Sequence, residues 1–440
     1  MRIRIRPAVF IAAAIFWVIP GAGHAGYDYI DITSPYFQKI PIAVPFFKAV
    51  SGNTEETRIS TDASDLLAET LEFTGMIRIL DRGAYLAGPE SGVTASDINF
   101  QNWVTIGAEL LVTGAALVDG DQLQMEFRLY DTVKGRLLIG KRYKGVIADE
   151  RIMVHRFCDE IIYSLTGERG IFDTRIVFVS TGTGNKELWI CDFDGYSPRQ
   201  FTNKGKITLF PSWSSDGHWL AYVSYARGKP DLYIEHVKKK KPGFFFAREG
   251  TNSTPAWVPD KFELAASLSF SGDQEIYLLT GRGKIIKTLT NSSGIDLSPA
   301  WSPDGKKMAF VSKRSGTPQI HILDMDSGLV ERLTFYGQYN TQPSWSPRGD
   351  KIAFSAMEGG RMDIHVIDTD GKNQLQLTHA QGDNESPTWS PDGRLIAFSS
   401  TREGLSRIYV MTAGGMDQRR LLTLPGEQSN PKWSPRGVDK

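Results

Sequence analysis

Two cysteines in 440 residues, Cys158 and Cys191, are too few for a disulfide framework. Cys158 lies on an apolar helical stripe with Val154, Phe157, Ile161 and Leu165, and Cys191 in the strand-like run Leu188 to Phe193. Two buried thiols in separate cores are expected, with a single bridge as the alternative. Excess charge of either sign is also lacking. Lys and Arg number 50 and Asp and Glu number 50, which leaves no global electrostatic case for nucleic acid as a partner. No H-E-x-x-H, P-loop, G-x-G-x-x-G or G-x-S-x-G motif occurs, so the common signatures of zinc peptidases, nucleotide enzymes and serine hydrolases are missing. Hydrophobic residues at 41% and charged residues at 23% exclude wholesale disorder and a polytopic membrane protein.

The N-terminus carries an export signature. Arg2, Arg4 and Arg6 precede twelve apolar residues, Ala8 to Ile19, and Pro20 and Gly21 break the run. Twelve helical residues reach only ~18 Å, short of the ~30 Å hydrocarbon core, so a signal peptide is expected rather than an anchor. Small residues at Gly23 and Ala25 place cleavage between Ala25 and Gly26. No cysteine follows, which argues against a lipoprotein.

What the sequence has in plenty is repetition. Trp213, Trp257, Trp301, Trp345, Trp389 and Trp433 are spaced by 44 residues each time, in the contexts PSWSSDG, PAWVPDK, PAWSPDG, PSWSPRG, PTWSPDG and PKWSPRG. A second element follows (LAYVS at Leu220, MAFVS at Met308, IAFSS at Ile396), and an extra copy, IVFVS, stands at Ile176. A third recurs as LWICD at Leu188, IHILD at Ile320 and IYVMT at Ile408, and a fourth is short and ends near Leu-Thr. The S-P-D-G and D-x-D-G segments are turn formers. Four short strands per repeat, six times over, predict a six-bladed β-propeller. The array begins at its second element and ends just after its first. The C-terminal strand is therefore expected to complete the blade begun at Ile176, which removes the open edges of a linear array.

Before the array, a different pattern predicts an α+β domain. Strands are expected at Tyr27 to Thr33, Lys39 to Phe47 and Ile77 to Leu80. A helix capped by Ser60 or Thr61 carries Leu66, Leu67, Leu71 and Phe73 and ends at Gly75, and a short helix closes near Ile106. Leu110 to Val118, Leu123 to Tyr130 and Leu137 to Val146 form a meander, followed by a helix over Asp149 to Leu165. The expected layout is a signal peptide at 1–25, an α+β domain at 26–165, a linker at 166–174 and the propeller at 175–440.

Few residues invite chemistry. His321 and His365 occupy a repeat position held elsewhere by Trp189, Tyr233, Tyr277 and Tyr409, so packing is expected, not metal binding or catalysis. The D-x-D-G turns lack the further ligands and terminal Glu of a calcium loop. Lys238 to Lys241 reads as a solvated loop tip, with an anionic contact as the alternative.

Signal peptide, α+β domain and six copies of W-S-P-D-G-x-x-I-A-F-x-S closed by a terminal P-x-W-S-P together resemble the TolB family of periplasmic Tol–Pal proteins. IPIAVPFF at Ile40 and the L-T-G-x-x-G-x-F-x-T-R-I junction at Leu165 to Ile176 add to the resemblance. Ser215 in the first Trp motif and Lys261 in the second depart from it locally. The resemblance implies no catalysis and no cofactor. It implies a periplasmic scaffold in outer-membrane integrity and cell division, peripheral to the outer membrane through the lipoprotein Pal, which would bind at the propeller mouth. TolA would bind the mature N-terminal segment, here Tyr27, Tyr29, Ile30 and Ile32. The matching mouth positions are Asn252, Ser253 and Thr254; Asp296, Leu297 and Ser298; Asn340, Thr341 and Gln342; Asn384, Glu385 and Ser386; and Ser429 and Asn430. A carbohydrate- or peptidoglycan-binding propeller is the alternative. The propeller of a peptidase would need a hydrolase domain of about 250 residues with a nucleophile elbow, and the chain has room for neither.

Overall fold

A computed structural model describes residues 38–86, 92–239, 243–379 and 381–437. The cleavage site at Ala25 and Gly26, the strand expected at Tyr27 to Thr33 and the proposed TolA contacts Tyr27, Tyr29, Ile30 and Ile32 lie outside them. So do Lys240 and Lys241 of the basic loop.

Among the described residues the α+β part is one sheet, three α-helices and three short 3-10 turns. Strands β1 (Ile40–Ala43), β2 (Lys48–Ala49), β3 (Ile77–Ile79), β4 (Leu110–Asp119), β5 (Gln122–Asp131) and β6 (Arg136–Val146) pair in the order β3-β1-β4-β5-β6, with β2 on β4. Helix α1 (Thr54–Phe73) starts earlier than the expected Ser60 or Thr61. Asn53 is the cap, its side chain accepting from the Glu56 amide at 2.8 Å. The Glu56 carboxylate in turn accepts from the Ser51, Gly52 and Val118 amides at 2.6, 2.9 and 3.0 Å. An acid and an Asx cap in the first turn stabilise a helix start, and Ser60 is left buried inside the helix. Helices α2 (Phe100–Thr105) and α3 (Glu150–Thr166) complete this part.

The rest is six four-stranded sheets in a closed ring. The first blade contains β7 (Arg175–Ser180), β8 (Glu187–Asp192) and β9 (Arg199–Gln200), and its innermost strand is the closing strand, Gln428–Trp433. Inner strands of the second to sixth blades are Thr208–Trp213, Asn252–Trp257, Asp296–Trp301, Tyr339–Trp345 and Asn384–Trp389. The turn after an inner strand is well seen in the fourth blade. There the Ser302 hydroxyl bonds Asp304 at 2.6 Å and accepts from the Lys307 amide at 2.9 Å, while Gly305 takes φ +68°. That geometry is why the repeat favours Ser, Asp and Gly at these spacings.

The repeated tryptophans pack between blades, five of them under 10% exposed. Three stitch neighbours together: Trp301 Nε1 donates to the Ala256 carbonyl at 3.2 Å, Trp389 to Ser344 at 3.0 Å, and Trp213 to Lys432 at 3.1 Å.

Closure is the best-tied joint. The closing strand pairs antiparallel with β7, Trp433 opposite Ile176. Trp433 Nε1 reaches the Thr174 hydroxyl at 2.9 Å, and Arg436 and Gly437 bond Gly170 and Asp173 at 2.9 and 3.0 Å. Around this joint one hydrophobic cluster runs without a break from the α+β sheet into the first and sixth blades, through Phe157, Phe172, Phe193, Ile408 and Trp433. Cys158 and Cys191 are both buried and free, and both belong to this one cluster, not to separate cores. Lys39 adds an ion pair to Asp417 of the sixth blade at 2.6 Å.

Deleting residues 428–440 is therefore expected to unfold or aggregate the propeller, far beyond the usual effect of trimming a terminus. Loss of Trp433 alone costs about 3–5 kcal/mol, against a domain stability of about 5–15 kcal/mol. Circular dichroism and size-exclusion chromatography check it. A monomer with unchanged melting temperature would contradict closure by this strand.

Candidate functional site

The inner strands carry the site. Each pairs with its neighbour through a register shift, between Ser253 and Ala256 in the third blade and at the equivalent place in the other five. At each shift one residue bulges out of the ladder before a proline: Phe210, Thr254, Ser298, Gln342, Ser386 and Asn430, with φ of 54°, 43°, 55°, 54°, 57° and 48°. A left-handed conformation is uncommon for non-glycine residues, and a following proline disfavours helical backbone further. Hydrogen bonds between blades hold it. The Ser298 amide donates to Thr254 Oγ1 at 3.2 Å, the Ser386 amide to Gln342 Oε1 at 2.8 Å, and Asn430 Nδ2 to Ser386 Oγ at 2.9 Å. These residues line a central cavity that all six blades share. Strained, over-determined backbone of this kind collects at binding sites.

The three positions of each expected triplet have different fates. The first, Asn252, Asp296, Asn340 and Asn384, is fully buried. Asn252, Asn340 and Asn384 serve the joint between blades instead of facing outward, while Asp296 is tied within its own blade. Asn340 Nδ2 donates to Gln319 at 2.8 Å and Asn384 Nδ2 to Asp363 at 3.0 Å. Asp296 pairs with Arg314 at 2.8 Å. Of the second position, Ser253 and Thr341 are buried, while Leu297, Glu385 and Ser429 are half-buried. The third, Thr254, Ser298, Gln342, Ser386 and Asn430, is the left-handed ring. Phe210 is its sixth member and is absent from the expected set, although the spacing of 44 from Thr254 points to it.

In the sixth blade the Glu385 carboxyl is pushed up, by burial first and then by the charge of Asp383. His321 and His365 are buried against Phe310 and Phe354, and burial pushes both imidazoles down, toward the neutral form.

A buried polar staple recurs behind the mouth. Thr202 donates to Glu187 at 2.5 Å, Thr290 to Glu275 at 2.6 Å, Thr334 to Gln319 at 2.8 Å and Thr378 to Asp363 at 2.6 Å. In the second blade Phe246 takes the threonine's place, and both carboxylate oxygens of the fully buried Asp231 lack a hydrogen-bond donor. Arg227 stands 4.0 Å away.

The family described as "TolB beta propeller domain" matches residues 163–437. This chain belongs to that family. The TolB amino-terminal domain matches residues 28–138. The Tol-Pal system protein TolB of Desulfosudis oleivorans is 55% identical over 221 residues, 50% of this chain and 50% of its own. That of Syntrophus aciditrophicus is 42% identical over 210 residues, 47% of this chain and 46% of its own. The chain thus spans about half the length of the curated relatives it matches. The crystal structure of TolB from Acinetobacter baumannii has a TM-score of 0.80 at 26% identity, covering 91% of this chain and 97% of that one.

Asp231→Asn is expected to stabilise the protein at neutral pH by roughly 1–3 kcal/mol, because it removes a buried charge that no donor satisfies. Burial raises the Asp231 pKa. The folded state then holds its proton more tightly than the unfolded one, so wild-type stability falls as pH rises through the folded pKa. The gap between variant and wild type should be widest at neutral pH and close in acid. Thermal melts across pH test this, and a gap that is constant with pH would contradict it.

Proposed function

We propose that this chain is a non-enzymatic periplasmic scaffold of the Tol–Pal system. Pal binds at the mouth of the propeller, TolA engages the segment from Gly26 to Gln38, and the protein supports outer-membrane integrity during constriction. The observation that carries this reading is the six-membered left-handed ring on the inner strands of a TolB-family propeller. It presents mostly small polar side chains at one mouth, fixed by bonds between blades before any partner arrives. A surface organised in advance loses less entropy on binding. Half-buried Glu385 and Ser429 flank it. Lys39, just after the proposed TolA segment, is ion-paired to the sixth blade, so tension on the segment is delivered to the propeller.

Glu385→Arg combined with Ser429→Arg is expected to weaken Pal binding at least tenfold with the fold intact, since two long cations add bulk and unpaired charge to a small polar mouth. Asn340 is no use as such a probe, being fully buried. Calorimetry with Pal measures the loss, and unchanged affinity would move the contact off the mouth. Removing Gly26 to Gln38 should abolish TolA binding and leave the melting temperature of the propeller in place. Retained TolA binding would sink that half of the reading.

A further inference from the structure

Within the central cavity one residue breaks the six-fold pattern. Two positions beyond the left-handed ring the inner strands carry Ser212, Ala256, Ala300, Ser344 and Thr388, all small. The closing strand carries Lys432 there, and Lys432 lines the cavity together with ring residues from all five other blades. Among the described residues no hydrogen bond or ion pair reaches its ammonium, while its carbonyl is taken by Trp213. The cavity of about 70 Å³ has room for a carboxylate-sized group. Its remaining lining is proline, Phe210 and neutral polar side chains, so Lys432 is the only charged residue among those that line it.

We propose that the central channel is a seat for a single small oxyanion, a carboxylate or phosphate group, with Lys432 as its counter-ion. An unpartnered ammonium among small neutral side chains is costly, and an anion of matching size offsets part of that cost. Strands packed on the closing strand offer no partner. Glu385 lies on the adjacent inner strand toward the mouth, Arg175 on β7, Arg402 and Glu403 on the sixth blade's second strand, and Arg407 and Tyr409 on its third. Burial is the sole cause of the fall in the Lys432 pKa to about 8. The seat does not depend on which protein docks at the mouth. The anion can arrive free or as a side-chain carboxylate on a partner loop, and the chemistry is the same.

The test is calorimetry on the full chain in low-salt zwitterionic buffer with three probes: acetate, inorganic phosphate, and a Gly-Glu-Gly peptide blocked at both ends. Saturable binding of at least one probe is expected, weakened tenfold or more in Lys432→Met. Binding of the peptide alone identifies a partner's side chain as the source, and binding of acetate or phosphate identifies a free oxyanion. In wild type the affinity should fall by up to tenfold per pH unit above about 8, as the ammonium deprotonates. Lys432→Met should melt at or above the wild-type temperature without anion, because it removes an unpaired charge. No saturable binding, equal binding in both proteins, binding that ignores pH, or a lower melting temperature for Lys432→Met would each overturn the seat.

Discussion

Pairing between the closing strand Gln428–Trp433 and β7 is the contact on which everything else depends. The other five blades are local in sequence, each a run of consecutive strands. Only this one joins residues more than 240 apart, for example Glu427 with Thr181 and Ser434 with Arg175. Such a contact carries a large loop-closure cost, and it is met here by several bonds at once and by the burial of Trp433 in a shared core. Because that core also contains α3 and α1 side chains, the α+β part is fastened to the joint that shuts the ring. Of the bonds between ring residues at the mouth, the one from Asn430 to Ser386 exists only if the ring is closed.

Repetition builds the frame, and departures from it mark where the molecule does something particular. Equivalent bulges and tryptophans give nearly the same local structure six times. Against that background Lys432, Glu385 and Asp231 stand out as charges at positions where other blades are mostly neutral or satisfied. Each is tolerated at some cost in stability, and marginal stability makes such costs matter.

Much of this was legible in the sequence. The spacing of 44 and the odd start at Ile176 were enough for blade number, strand order and closure, because a propeller blade is a local pattern. Less legible were features that depend on three-dimensional burial. Asn252, Asp296, Asn340 and Asn384 look like turn residues at a mouth, yet they lie inside the inner strands as joint fillers. Helix α1 extends back to Thr54 because Glu56 finds three backbone donors, one of them 62 residues away at Val118. The two cysteines share a core because the α+β part and the first blade share one, which no periodicity reveals. Phe210 could have been found by extending the 44-residue register one step back from Thr254, and Lys432 by comparing Ser212, Ala256, Ala300, Ser344 and Thr388 with the closing strand.

Native-state hydrogen exchange tests the closed ring most directly. If closure makes the propeller one cooperative unit, the amides of Val177 and Val179 on β7 should exchange with the same free energy as their counterparts Ala221 and Val223 in the second blade and Ala309 and Val311 in the fourth, at the global unfolding limit. Exchange of the first blade at markedly lower free energy, with the other five still protected, would show that the ring survives without its closing strand and would contradict the account.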